Sequence, residues 1–142
     1  WNRLRYSCMS DTTAVYRMHV VELMRSNFEK NDLAPTSPTA VPEHKLTIDT
    51  SYAEKDTYLW VTVTAKVEAE LEGKPFFHVE VSMRGLFERI GETALTPDQF
   101  GKVNGPAILF PFVREHLANL TLRANLPPVL LPPINFVERA ST

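Results

Sequence analysis

A single cysteine, Cys8, stands in a chain of 142 residues, which excludes an internal disulfide framework and a cysteine-built zinc site within one chain. A reducing, cytoplasmic setting is the expectation. Charge of one sign is not in excess: 15 lysines and arginines face 17 aspartates and glutamates, for a net charge of −2 at pH 7. That balance gives no electrostatic pull toward nucleic acid or an anionic membrane, so a neutral or apolar partner is expected. Long hydrophobic runs are missing as well. Pro111, Pro127, Pro128, Pro132 and Pro133 break the apolar stretches, none of which approaches the ~20 residues needed to span a bilayer, and no membrane insertion is expected. The few glycines build no phosphate-cradling loop, and no Ser/His/Asp order is present. His19, His44, His78 and His116 have no partners at ligand-like spacing. His116 follows Glu115, but adjacent helical residues diverge by about 100° and cannot face one proton together. Neither a metal, a cofactor nor an enzymatic activity is expected.

What the chain does have is length for one domain. At this size roughly 68–70% of the unfolded surface can be buried in a single core. The first eight residues, WNRLRYSC, precede Met9-Ser10-Asp11 and lack the apolar segment of a secretory signal. Residues 1–13 are therefore expected to be a disordered extension and residues 14–142 a single domain.

Period-two patterning dominates that domain. From Tyr58 to Leu71 every odd position is apolar, and after Glu72-Gly73-Lys74-Pro75 the alternation resumes with Phe77, Val79, Val81 and Met83 on one face and His78, Glu80, Ser82 and Arg84 on the other. Two long strands joined as an antiparallel hairpin follow. Residues 45–50 read as a shorter strand with Leu46 and Ile48 inward. Residues 14–28 read as another, whose apolar face changes between Val20 and Val21 and so predicts a bulge or cover on both sides. Between these two lie residues 29–43, EKNDLAPTSPTAVPE, where three prolines exclude regular structure; such a loop is a crossover or a functional surface.

Helical signals come last. Thr96-Pro97-Asp98-Gln99 matches a capping box with proline at the first helical position. Over residues 108–123, Leu109, Phe110, Val113, Leu117 and Leu120 share one arc that suits docking on a sheet. Ile108 and Phe112 fall outside that arc, either against another loop of the same subunit or at a subunit interface. Pro111 predicts a kink or a helix start delayed to about Ile108, and the helix should end before Pro127. Beyond it, residues 126–136 form a stiff, extended apolar segment, a binding surface or a lid on the core. The fold class is α+β, a four-stranded antiparallel sheet with a long helix on one face.

The run Ile108-Leu109-Phe110-Pro111-Phe112-Val113-Arg114-Glu115, followed by Leu126-Pro127-Pro128 and Pro133-Ile134-Asn135-Phe136, resembles the pattern of the SecB export chaperones. Val61-Thr62-Val63-Thr64-Ala65, Glu80-Val81 and Gly85-Leu86-Phe87 resemble that family's third and fourth strands, so the likeness runs over about residues 14–136. The resemblance implies a cytoplasmic homotetramer, a dimer of dimers, that holds unfolded preproteins in apolar grooves without ATP and passes them to the SecA motor. Carried onto this chain, the client groove comprises Leu33, Val41, Leu126, Val129, Leu130, Leu131, Ile134 and Phe136. SecA docking falls to Glu29 and Glu80 on the outer sheet face. Subunit association falls to Val79, Val81 and Met83, joined by Ile108 and Phe112. Family members continue past the Asn-Phe pair into a second helix and an acidic tail. This chain stops six residues after Phe136 and carries Arg25 where a further acidic position is expected, so no tail-mediated SecA contact is expected of it. A chaperone dedicated to one client, such as an antitoxin, is the alternative; a small α+β enzyme with a pocket over the sheet is a third reading.

Overall fold

Strict alternation becomes the centre of a sheet. The computed structural model describes residues 15–140, so the expected extension, Cys8 included, lies outside the described residues. Four strands, β1 (Tyr16–Lys30), β2 (Glu43–Lys55), β3 (Tyr58–Leu71) and β4 (Lys74–Arg89), pair antiparallel in the order β1-β4-β3-β2. In β3, every odd residue from Leu59 to Leu71 is buried. β1 and β2 follow one another in sequence but occupy opposite edges, so residues 31–42 must cross from one side of the sheet to the other.

β1 changes face because it carries two irregularities in its pairing with β4, one between Met18 and Val20 and one between Leu23 and Arg25. An extra residue in one strand inverts the side-chain parity beyond it. Met18 lies opposite Phe87 and Leu23 opposite Met83, so the two reach the same side although they are five apart. β2 runs five residues past the expected end at Thr50, and the β2–β3 turn contains Asp56 at φ 56°.

Helix begins earlier than Pro111 suggested. Thr96 accepts the Gln99 amide while the Gln99 side chain accepts the Thr96 amide, a complete capping box. α1 (Pro97–Gln99) passes through a π-helical turn (Phe100–Asn104) into α2 (Gly105–Arg123). The expected start near Ile108 is therefore corrected. Gly105 does not break the helix; a Cβ there would stand 2.9 Å from Val61 Cγ2, and its absence lets the helix approach β3. Pro111 leaves the Ala107 carbonyl without its helical donor, but Ala107 is exposed and water can supply the bond.

α2 covers β3 and β4. Leu109, Phe110, Val113 and Leu117 are buried on them and Leu120 is half-buried. Each fully buried large apolar side chain contributes about 1.5–3 kcal/mol. α2 ends in a Schellman motif, with Asn125 at φ 59°, its amide on the Leu122 carbonyl and the Leu126 amide on the Thr121 carbonyl. Residues 127–135 have no regular secondary structure, and Asn135 then caps a further helix, α3 (Phe136–Ala140), through its Oδ1 to the amides of Val137 and Glu138.

Candidate binding groove

The crossover and the segment after α2, far apart in sequence, meet at one end of the sheet. Together they enclose an apolar hollow of about 400 Å³. Leu33, Pro35, Ala40, Val41 and Pro42 form the crossover wall, Leu126 and Pro127 the opposite wall, and His44, Leu71, Phe76 and Phe77 the floor. Phe76 reaches the floor because β4 pairs Phe77 with Ala69 and Pro75 with Glu70, leaving Phe76 as the extra residue of a bulge. Lys30 Nζ lies 6.0 Å from the Phe76 ring centre and donates to the Ala124 carbonyl at 3.2 Å, closing the corner where α2 ends.

Two ties hold the crossover wall. Asn31 donates its amide to the Phe76 carbonyl at 2.7 Å and its side chain to the Pro75 carbonyl at 3.0 Å. Farther on, Glu72 at the tip of the β3–β4 hairpin accepts the Thr36 amide at 2.9 Å, the Thr36 hydroxyl at 2.5 Å and the Ser37 amide at 3.2 Å. These donors, the Thr36 hydroxyl first, hold the Glu72 carboxyl below the usual carboxylate range.

Of the eight residues expected to bind clients, Leu33, Val41 and Leu126 line the hollow. Val129 and Ile134 are half-buried against the core, and Leu130 is 73% exposed. Leu131 and Phe136 need correcting: they are 5% and 4% exposed, and the Phe136 ring meets Phe110 edge-on at 5.8 Å. Both are core side chains. Sequence reasoning missed the floor, although the Phe76-Phe77 pair at the start of a strand was its visible sign. It also missed Glu72, which gave no local sign of a partner 36 residues away.

The expected association residues divide in the same way. Val79 and Val81 are 1% and 0% exposed beneath α2, so they offer a second subunit no surface. Met83 is half-buried, whereas Ile108 and Phe112 remain 41% and 38% exposed. α2 runs in the same sense as β1: Gly85, opposite Val21, packs under Leu109, the His116 ring meets the Ser26 hydroxyl at 2.9 Å, and Lys30 reaches Ala124. Phe112, one turn before His116, thus lies level with Leu23. With Met18, Leu23 and Ile108 it makes an exposed apolar strip along the β1 side of the helix.

On the opposite face of the sheet, Glu29 lies across from His78 and Glu80 across from Asn27. Glu29 is open, its only ion pair among the described residues a 4.0 Å approach to His78, while Glu80 is flanked by Arg25 at 3.4 Å and Lys66 at 4.0 Å. A larger hollow, of about 660 Å³, lies between β2 and the π turn. Its cations are engaged, Lys102 by Asp98 at 3.0 Å and Arg139 by the Ile48 carbonyl. Among the described residues no group of histidine, cysteine and carboxylate side chains could hold a metal, and no helix is long and apolar enough to cross a membrane.

The model of the family described as preprotein translocase subunit SecB matches residues 12–139. The protein-export protein SecB of Acidovorax sp. strain JS42 is 31% identical over 137 residues, 90% of this chain and 87% of that protein. That of Chromobacterium violaceum is 41% identical over 81 residues, 57% of this chain and 54% of that protein. The match thus spans about half the length of several curated relatives. In structure, the chain is similar to a Mycobacterium tuberculosis SecB-like chaperone in complex with an antitoxin peptide, with a TM-score of 0.73 and 18% identity over 87% of this chain and 94% of that one.

Proposed function

The chain belongs to the SecB family, and from that premise we propose that it is a holding chaperone, binding apolar segments of unfolded polypeptides without ATP. The observation that carries this reading is the apolar hollow between the crossover and the segment after α2. A folded protein has few extended apolar segments to offer such a groove, so selectivity for unfolded chains follows from its shape and lining. A client burying on the order of 400 Å² of apolar surface gains roughly 10 kcal/mol gross at ~25 cal/mol per Å². Ordering the flexible client removes much of that, so affinity is moderate and grows when several grooves engage one chain.

Several grooves require several subunits, and the strip of Met18, Leu23, Ile108 and Phe112 supports self-association to a homotetramer. The clients in this reading are preproteins held in the cytoplasm for export. Delivery to the SecA motor uses the outer sheet face, where Glu29 is available and Glu80 must exchange Arg25 and Lys66 for the motor's own cations. The test is suppression of aggregation of several unrelated unfolded substrates in the absence of ATP. Suppression of all of them supports a general holding chaperone. Suppression of one alone assigns the protein to a dedicated client, and suppression of none sinks the reading.

A further inference from the structure

Glu72 occupies a position that its local geometry disfavours. The β3–β4 turn has two residues, Glu72 at φ 52° and Gly73 at φ 77°, between the paired Leu71 and Lys74. Positive φ at both centres is the type I′ hairpin turn, whose preferred first residue is asparagine, aspartate or glycine. A longer side chain with a Cβ is costly there. A residue that breaks a local rule is explained where it makes a contact the favoured residue could not.

That contact is with the crossover. Among the described residues, every hydrogen bond that residues 32–42 make outside their own loop goes to the Glu72 carboxylate, through Thr36 and Ser37. Beyond that tie the loop bonds only to itself, the Ala40 amide on the Ser37 carbonyl at 3.1 Å and the Ser37 hydroxyl against that of Thr39 at 2.9 Å. Leu33 and Pro35 precede the tied residues and Ala40, Val41 and Pro42 follow them, so the tie sits at the middle of the groove wall. An asparagine at position 72 would suit the turn, but it is one methylene shorter and has a single oxygen to accept with. Lys74 is the charged group whose field acts on the carboxylate.

Resting on the holding-chaperone reading, we infer that Glu72 is a positioning residue for client binding. Its carboxylate fixes the crossover wall at the distance from Phe76, Phe77 and Leu126 at which a client side chain fits. A wall held in place beforehand spares the complex the entropy of ordering it on binding. Local turn preference is given up for the shape of the groove.

The test compares wild type with Glu72→Asn and Glu72→Gln in three measurements: thermal unfolding, amide exchange of residues 32–42, and affinity for a fluorescently labelled, reduced and alkylated polypeptide that cannot fold. Asparagine suits the turn, which offsets the stability lost with the bonds to the ionised Glu72, so Glu72→Asn is expected to unfold close to the wild-type temperature or above it. Its Thr36 and Ser37 amides should exchange faster and its dissociation constant for the probe rise about tenfold. Glu72→Gln, which keeps the reach and one acceptor, should fall between. Weaker binding together with unchanged or raised stability is a result that a merely structural residue would not give. Wild-type affinity in Glu72→Asn with a loosened loop overturns this inference alone. Wild type that fails to bind the probe overturns the chaperone reading beneath it.

Discussion

The Thr121 hydroxyl, inside a helix and wholly buried, accepts the backbone amide of Val129 at 3.0 Å and donates to the Ala118 carbonyl at 2.9 Å. That bond pins the extended segment to α2 three residues after the Schellman motif has turned the chain. Thr121→Val keeps the volume but removes the acceptor and leaves a half-buried amide unpaired. The expected loss is about 1–3 kcal/mol of unfolding free energy, with Thr121→Ser close to wild type. Denaturant titration of the three proteins reads it, and equal midpoints would mean that water replaces the hydroxyl.

Phe112→Asp and Val81→Asp should fail in different ways. Phe112 is 38% exposed on the apolar strip beside β1, so a charge there leaves the subunit folded but is costly wherever a second copy covers it. Light scattering should show a lower mass for Phe112→Asp at a protein concentration where wild type is associated, with circular dichroism unchanged. Val81 has no exposed surface, and its aspartate would be an unpaired charge in the core, costing several kcal/mol. Cooperative unfolding should be lost. An unchanged mass for Phe112→Asp would remove the strip from the interface.

Legibility in the sequence followed from how local each signal was. β3 could be read residue for residue, because a central strand buried on one face must alternate. The last five residues of β2 could not, because on an edge strand Ser51, Ala53 and Glu54 answer to solvent and only Tyr52 packs inward against the core. Gly101 and Gly105 are points of close packing, against Tyr52 and Val61, which no periodic pattern marks. The groove was half legible: proline-rich and apolar segments marked its two walls, but whether Leu130 or Leu131 faces outward depends on how an unpatterned chain settles on α2. The polar residues that hold it, Glu72 and Thr121, act on partners across the fold and left no periodic trace.

Leu130 and Leu131 therefore separate client binding from stability. Leu130 is 73% exposed and its neighbour 5%. Leu130→Ser is expected to weaken binding of unfolded polypeptide with unfolding free energy within about 0.5 kcal/mol of wild type, the usual range for surface changes. Leu131→Ser opens a cavity in the core and buries a hydroxyl, for a loss of about 2–5 kcal/mol. Paired denaturation and binding titrations check both. Loss of stability in Leu130→Ser would place that side chain in the core with its neighbour.

Tyr52 and Asp98 make the fold sensitive to acid. The Tyr52 hydroxyl donates to Asp98 Oδ1 at 2.5 Å, and Lys102 Nζ stands 3.0 Å from the same oxygen. The tyrosine bond, and Lys102 after it, hold the Asp98 carboxyl below the usual carboxylate range, while the same bond raises the Tyr52 hydroxyl above its ordinary value. A carboxyl with a depressed folded pKa contributes stability above its unfolded pKa and loses it as pH falls through the folded one. The tyrosine's contribution is present below its unfolded pKa and fades as pH rises through the raised one. Glu72, depressed by Thr36 and Ser37, adds to the acid limb, so wild type alone cannot apportion it. Asp98→Asn can: its amide oxygen still accepts from Tyr52 but no longer titrates and no longer pairs with Lys102. The variant should be less stable than wild type at neutral pH, and the gap should close in acid once Asp98 is protonated in both folded and unfolded wild type. Denaturant curves across the acid range measure that gap, and a constant difference down to the lowest pH would mean that the Asp98 charge plays no part in it.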